Sequence, residues 1–124
     1  MLRKKILIVD DEKSVTDTAR GYLADKYEVM TENNGLKALE TAREFEPHLI
    51  ILDILFPDTS GGEIASQIQN NHKLKNTPIV FLTGILKKEE EREIAGHPFL
   101  SKPVSIEELN ECIENYLKSD SEGQ

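Results

Sequence analysis

Cysteine is nearly absent: Cys112 is the single one in 124 residues, so no internal disulfide can staple the chain. A reducing, intracellular setting is consistent with that usage. Basic residues are in deficit, with 15 Lys and Arg against 23 Asp and Glu and a net charge of −8. A protein that grips a phosphate backbone normally carries a basic face, so direct nucleic-acid binding by this chain is not expected. No stretch approaches the ~20 apolar residues of a membrane span. The apolar run in the opening MLRKKILIVDDE is too short for a signal peptide. Repeats, low-complexity segments and internal linkers are not visible. His48, His72 and His97 lack metal-ligand spacing and are read as surface or packed residues. What remains is the expectation of one soluble, cytoplasmic globular domain, with 38% hydrophobic and 31% charged residues.

Within that domain, apolar runs of strand length alternate with segments of helical period. Ile6–Val9 is a continuous β-branched and Leu run, as in a strand buried on both faces. Tyr27–Thr31, His48–Leu52, Pro78–Leu82 and a short Pro98–Leu100 supply four more strands. Between them, Val15, Ala19, Tyr22 and Leu23 recur at helical spacing in Ser14–Ala24, and Leu36, Leu39, Ala42 and Arg43 do so after an Asn33-Asn34-Gly35 turn. Ile64, Ala65 and Ile68 share one face after Gly61-Gly62, and Lys87–Ala95 reads as a short charged helix. The last helix opens on a Ser105-Ile-Glu-Glu108 capping box and carries a stripe of Ile106, Leu109, Ile113, Tyr116 and Leu117. Cys112 lies near that stripe as a core residue, and residues 119–124 form a polar, frayed tail after a domain of residues 1–118. Alternating strands and helices predict a (βα)5 fold, a doubly wound parallel sheet with helices on both faces.

In such sheets ligands bind outside the carboxyl ends of the strands. The residues found there are Asp10, Asp11 and Glu12 after the first strand, Asp53 after the third, Thr83 and Gly84 after the fourth, and Lys102 after the fifth. Asp53 is set between apolar residues in IILDILFP, a position costly for an unpaired carboxylate. Three clustered carboxylates repel one another, and a divalent cation is their natural neutraliser. Hard oxygen donors without His or Cys favour Mg2+, with Mn2+ as the alternative. Mg2+ commonly shares such a site with a phosphate, whose remaining oxygens Lys102 and the Thr83 hydroxyl can hold. A carboxylate can itself attack phosphorus to give an aspartyl phosphate.

The stretches ILIVDDE, LIILDILFPDTSG, PIVFLTG and FLSKP, in this order over residues 4–118, resemble the receiver domain of two-component response regulators, including the chemotaxis-regulator type. The resemblance implies a flavodoxin-like sheet of order 2-1-3-4-5 with five helices. It implies that Asp53 accepts a phosphoryl group from a sensor histidine kinase or phosphotransfer protein. Asp11 would bind Mg2+ directly, Asp10 through bound water, and the Leu55 backbone carbonyl would complete the protein ligands. Thr83 is the implied switch hydroxyl and Lys102 the implied partner of the phosphoryl group, with a cis Lys102-Pro103 peptide. Phe99 takes the place of the family's rotating aromatic, although core packing explains it equally well. The implied output is a downstream protein bound at the face of helix four, strand five and helix five. Such a domain is a signalling module with slow autodephosphorylation rather than an enzyme.

Each residue also has a plainer reading. Asp10 and Asp11 could serve a helix N-terminus, Thr83 could be a turn residue and Lys102 a surface lysine. Glu12 is read as the cap of helix one in preference to a place near the metal, and KKEEERE as a solvated helix face. Three departures from the family stand out. The interval from Thr83 to Lys102 is short, predicting a short, loose or displaced fourth helix. Leu55 and Ile85 are aliphatic at positions that flank the phosphoryl group and cannot orient water. The last helix lacks the basic residues of the winged-helix regulators' dimer. Rival readings are a haloacid-dehalogenase-like phosphatase, which needs an Asp where Leu55 stands, and a flavodoxin-like electron carrier, which the acidic first loop disfavours. A phosphorylation-independent adaptor and a receiver cut from a hybrid kinase or larger regulator remain as alternatives.

Overall fold

A computed structural model describes residues 3–84, 93–94, 97–102 and 104–122. In chain order they form β1 (Lys5–Val9), α1 (Lys13–Leu23), β2 (Glu28–Glu32), a 3-10 turn (Gly35–Lys37), α2 (Ala38–Phe45), β3 (Leu49–Asp53), α3 (Gly61–Gln69), β4 (Ile79–Thr83), β5 (Glu93–Ile94), β6 (His97–Ser101) and α4 (Ile106–Glu122). The sheet order is β2-β1-β3-β4-β6-β5. The five long strands are all parallel, in the 2-1-3-4-5 order expected of them, and β5 adds a two-residue antiparallel edge on β6.

Period-two alternation splits the core between the two faces of this sheet. Leu7, Val9, Ile50, Leu52, Ile79 and Phe81 face α2 and α3, meeting Ala38, Ala42, Phe45, Ile64, Ala65 and Ile68. Ile6, Ile8, Leu49, Ile51, Val80 and Leu82 face the other way, onto Leu23 of α1 and Leu109, Ile113 and Leu117 of α4. Each fully buried Leu, Ile or Val contributes roughly 1.5–3 kcal/mol relative to exposure, and together they fix the central strands that carry the site. No helix among the described residues is long and apolar enough to cross a membrane.

The capping box forms as read, with Glu108 N donating to Ser105 Oγ at 3.0 Å and Ser105 N donating to Glu108 Oε1 at 3.1 Å. Cys112 packs half-buried against the α4 face of the core, and burial pushes its thiol up to about 11, which keeps it protonated and unreactive. His48 Nδ1 accepts from Lys5 N, and His97 stands edge-on to Phe81.

Several expectations need correction. Glu93 and Ile94 are strand, so a helix over Lys87–Ala95 fails at its end, and the rest of that segment lies outside the described residues. Pairing with the open edge of β6 outweighs the local charge pattern there. α4 continues through residues 119–122 in place of the expected tail, because extending a docked helix costs little once nucleated. Tyr22 and Leu36, expected in helical stripes, are 60% and 64% exposed. Thr16 takes a fully buried position on α1 instead.

Candidate functional site

An acidic pocket opens at the carboxyl end of the sheet. Asp10 follows β1 directly, and its N–H donates to Glu32 O at 3.1 Å, extending the β1–β2 ladder by one step. Its Oδ1 accepts from Glu12 N at 2.9 Å, and the residue is fully buried. Asp53 is the last residue of β3, only 7% exposed, with Oδ1 accepting from Ile54 N at 2.8 Å. α3 begins against its backbone. Gly61 N donates to Ile54 O at 2.7 Å, and a Cβ on Gly61 would lie 2.3 Å from Asp53 O, so only glycine permits this approach.

Lys102, just past β6, reaches into the pocket. Its Nζ lies 2.7 Å from Asp10 Oδ2, 3.4 Å from Asp53 Oδ2 and 3.6 Å from Glu12 Oε1. Burial pulls the Lys102 pKa down, but Asp10 and Asp53 outweigh it and hold it above the ordinary lysine value. Asp53 is displaced upward, first by burial and then by the neighbouring Asp10 charge, against opposition from the Ile54 N–H and Lys102. One ammonium therefore does not neutralise this cluster.

Asp10, Asp11 and Asp53 each present a carboxylate oxygen within 4.8 Å of the others, Asp11 being exposed. All donors are hard oxygens, and the buried Asp10 and Asp53 hold excess negative charge. This donor set fits a divalent cation of the Mg2+ class.

The remaining sequence candidates are placed as follows. Thr83 ends β4, opposite Ser101. Gly84 borders Lys102, where a Cβ would meet the Lys102 Cβ at 3.8 Å. Leu55 forms an isolated bridge with Ser60, and its side chain is 57% exposed. Phe99 packs, half-buried, against the Phe81 side of the core. Ile85 and Pro103, with the expected cis peptide, lie outside the described residues.

Side-chain contacts refine the roles of Glu12, Asn33 and Asn34 and add Thr16 and Gly61. Glu12 occupies the N-cap position of α1, but its side chain makes no cap hydrogen bond and instead faces Lys102. Within the Asn33-Asn34-Gly35 turn it is Asn34 that caps, through Oδ1 accepting from Leu36 N at 3.0 Å. Asn33 instead sends its amide to Asp10 O and to buried Thr16. A polar residue at a helical position carries no pattern that announces burial, so Thr16 had no signal. For Gly61 the only signal was its place eight residues past Asp53, at the start of α3.

The response regulator receiver domain model matches residues 6–114. This chain is a response regulator receiver domain. The polar-differentiation response regulator DivK of Brucella anthropi is 35% identical over 118 residues, covering 92% of this chain and 96% of that protein. The chemotaxis response regulator CheY4 of Vibrio cholerae superposes with a TM-score of 0.82 at 30% identity, over 92% of this chain and 98% of that one. The receiver domain of the hybrid histidine kinase CckA gives a TM-score of 0.75 at 31% identity, over 91% and 98%. A receiver domain is a two-component signalling module, the class that the resemblance implies.

Proposed function

We propose that this receiver takes a phosphoryl group onto Asp53 from a histidine-phosphate donor, a sensor kinase or phosphotransfer protein. One observation carries the proposal: a buried carboxylate at the end of the central strand, with an ammonium 3.4 Å away and two further carboxylates beside it. An Asp53 oxygen attacks phosphorus. The O–P bond forms as the P–N bond to the donor imidazole breaks, and the imidazole leaves with the bonding pair and takes up a proton. Asp11, Asp53 and the Leu55 carbonyl, with Asp10 acting through bound water, would hold Mg2+ or Mn2+, which would neutralise charge on the phosphoryl oxygens.

The chain's own groups do the rest. Asp53 must be ionised to attack, and Lys102 favours that form. Lys102 also stands where a phosphoryl group on Asp53 would place its oxygens, so its ion pairs with Asp10 and Asp53 are available for exchange. The Thr83 hydroxyl is the group that closes on the phosphoryl oxygens, and Phe99 follows it. The two-state shift so produced changes binding at the face of β6 and α4, where a protein partner docks. The aliphatic Leu55 and Ile85 cannot hydrogen-bond an attacking water, which makes autodephosphorylation slow.

The test is phosphate incorporation from a small phosphodonor. Wild type labels with Mg2+ and not with chelator, and Asp53→Ala does not label. An unlabelled wild type overturns the proposal and leaves a phosphorylation-independent adaptor. In the same assay, Leu55→Asn/Ile85→Glu loses its label several-fold faster than wild type, and equal decay removes the shielding role.

A further inference from the structure

The turn between β2 and α2 is bound to the acidic pocket more closely than a connection requires. Both main-chain polar groups of Asp10 are engaged, one by the end of β2 and one by the turn. The N–H donates to Glu32 O at 3.1 Å, and the carbonyl accepts from Asn33 Nδ2 at 2.7 Å. The second proton of the same amide reaches Thr16 Oγ1 at 3.0 Å, and the Thr16 hydroxyl donates to Lys13 O at 3.1 Å. An amide nitrogen offers two protons, and both are used. Thr16 is fully buried within α1, so this end of the chain of bonds is anchored in the core side of the helix. The turn also presses on the loop after β3: a Cβ on Gly35 would stand 2.8 Å from Thr59 Cγ2 and 3.0 Å from the Phe56 ring.

The carbonyl held by Asn33 belongs to the peptide that joins Asp10 to Asp11. Rotation of that peptide would re-aim both carboxylates at once. Three carboxylate oxygens within 4.8 Å repel one another and would splay without restraint. Asn33 supplies the restraint through a neutral donor, adding no charge to the site. Aspartate in its place would lack the donor.

We infer that Asn33 is a positioning residue for the divalent-cation site, acting through the Asp10–Asp11 peptide, with Thr16 fixing the orientation of its amide. This rests on the metal-site reading above. It concerns no atom that touches the ion. The role resembles that of outer partners that orient metal ligands, whose loss weakens metal binding by about 10–100-fold.

The experiment is Mg2+ and Mn2+ titration calorimetry on the unphosphorylated chain, with the thermal midpoint of each variant recorded alongside. Asn33→Ala should bind about ten-fold more weakly. Thr16→Val, which keeps the shape and removes the hydroxyl, should weaken binding less, and Thr16→Ser should restore it. A folded Asn33→Ala with wild-type affinity overturns the inference. If Asn33→Ala does not fold, the Thr16 pair decides, and equal affinity in Thr16→Val and Thr16→Ser overturns it. Wild type that takes up neither cation removes the metal-site reading itself, a failure visible before any substitution is made.

Discussion

β3 and β6 each deliver one charged side chain to the acidic pocket, yet β3 is buried at all of its residues whereas β6 is only half-buried throughout. β3 lies between β1 and β4 with helices on both faces, while β6 has one full neighbour and the two-residue β5. The anions are therefore set into the rigid centre of the domain and the cation is brought in from its looser margin. Local stability follows burial and pairing, so elements that must move are drawn from the weakly held end. A fixed carboxylate facing an ammonium on the margin suits the phosphoryl acceptance proposed above.

The largest expected effect tests that division directly. Leu52→Ala on β3 should cost about 3–4 kcal/mol, and Leu100→Ala on β6 about 1 kcal/mol, read as shifts in denaturant midpoint. Equal losses would mean that both walls of the pocket are equally rigid.

A smaller effect follows from Asp53. Its folded-state pKa is raised, so between the ordinary value of 3.8 and that raised value the folded chain keeps a proton the unfolded chain has lost. Stability then falls as pH rises through that window, and below it the contribution vanishes. In chelator, Asp53→Asn should be more stable than wild type at neutral pH, with the gap closing below pH 3.8. A gap that is absent at neutral pH, or that widens on acidification, would mean that Lys102 already compensates the buried carboxylate in full.

The smallest expected change lies at the margin. Ser105→Ala removes the N-cap of α4 and should lower stability by about 1 kcal/mol. It should leave phosphodonor labelling of Asp53 unchanged, because the cap holds the helix after Lys102 and touches no pocket atom.

Much of the site was legible because its residues follow strands whose ends any parallel α/β sheet brings together. Asp10, Asp11, Asp53 and Lys102 converge as their spacing required. The roles within the convergence were not legible. Lys102 lies nearer to Asp10 than to Asp53, and Glu12 turns from its expected capping duty toward the same ammonium. Those choices depend on side-chain reach across loops separated by most of the chain.

The sequence by itself determined the five parallel strands, the last helix's capping box and the acidic character of the pocket. Backbone dihedrals and hydrophobic period are local properties, and they repeat faithfully wherever an element is buried. Only the tertiary structure decided that Glu93 and Ile94 join the sheet edge, that Tyr22 and Leu36 stay in solvent, and that Asn33 grips Asp10. The physical reason is register. Val9 pairs with Glu32, so the next residues along β1 and β2 are Asp10 and Asn33, neighbours in space across a separation that no local pattern spans.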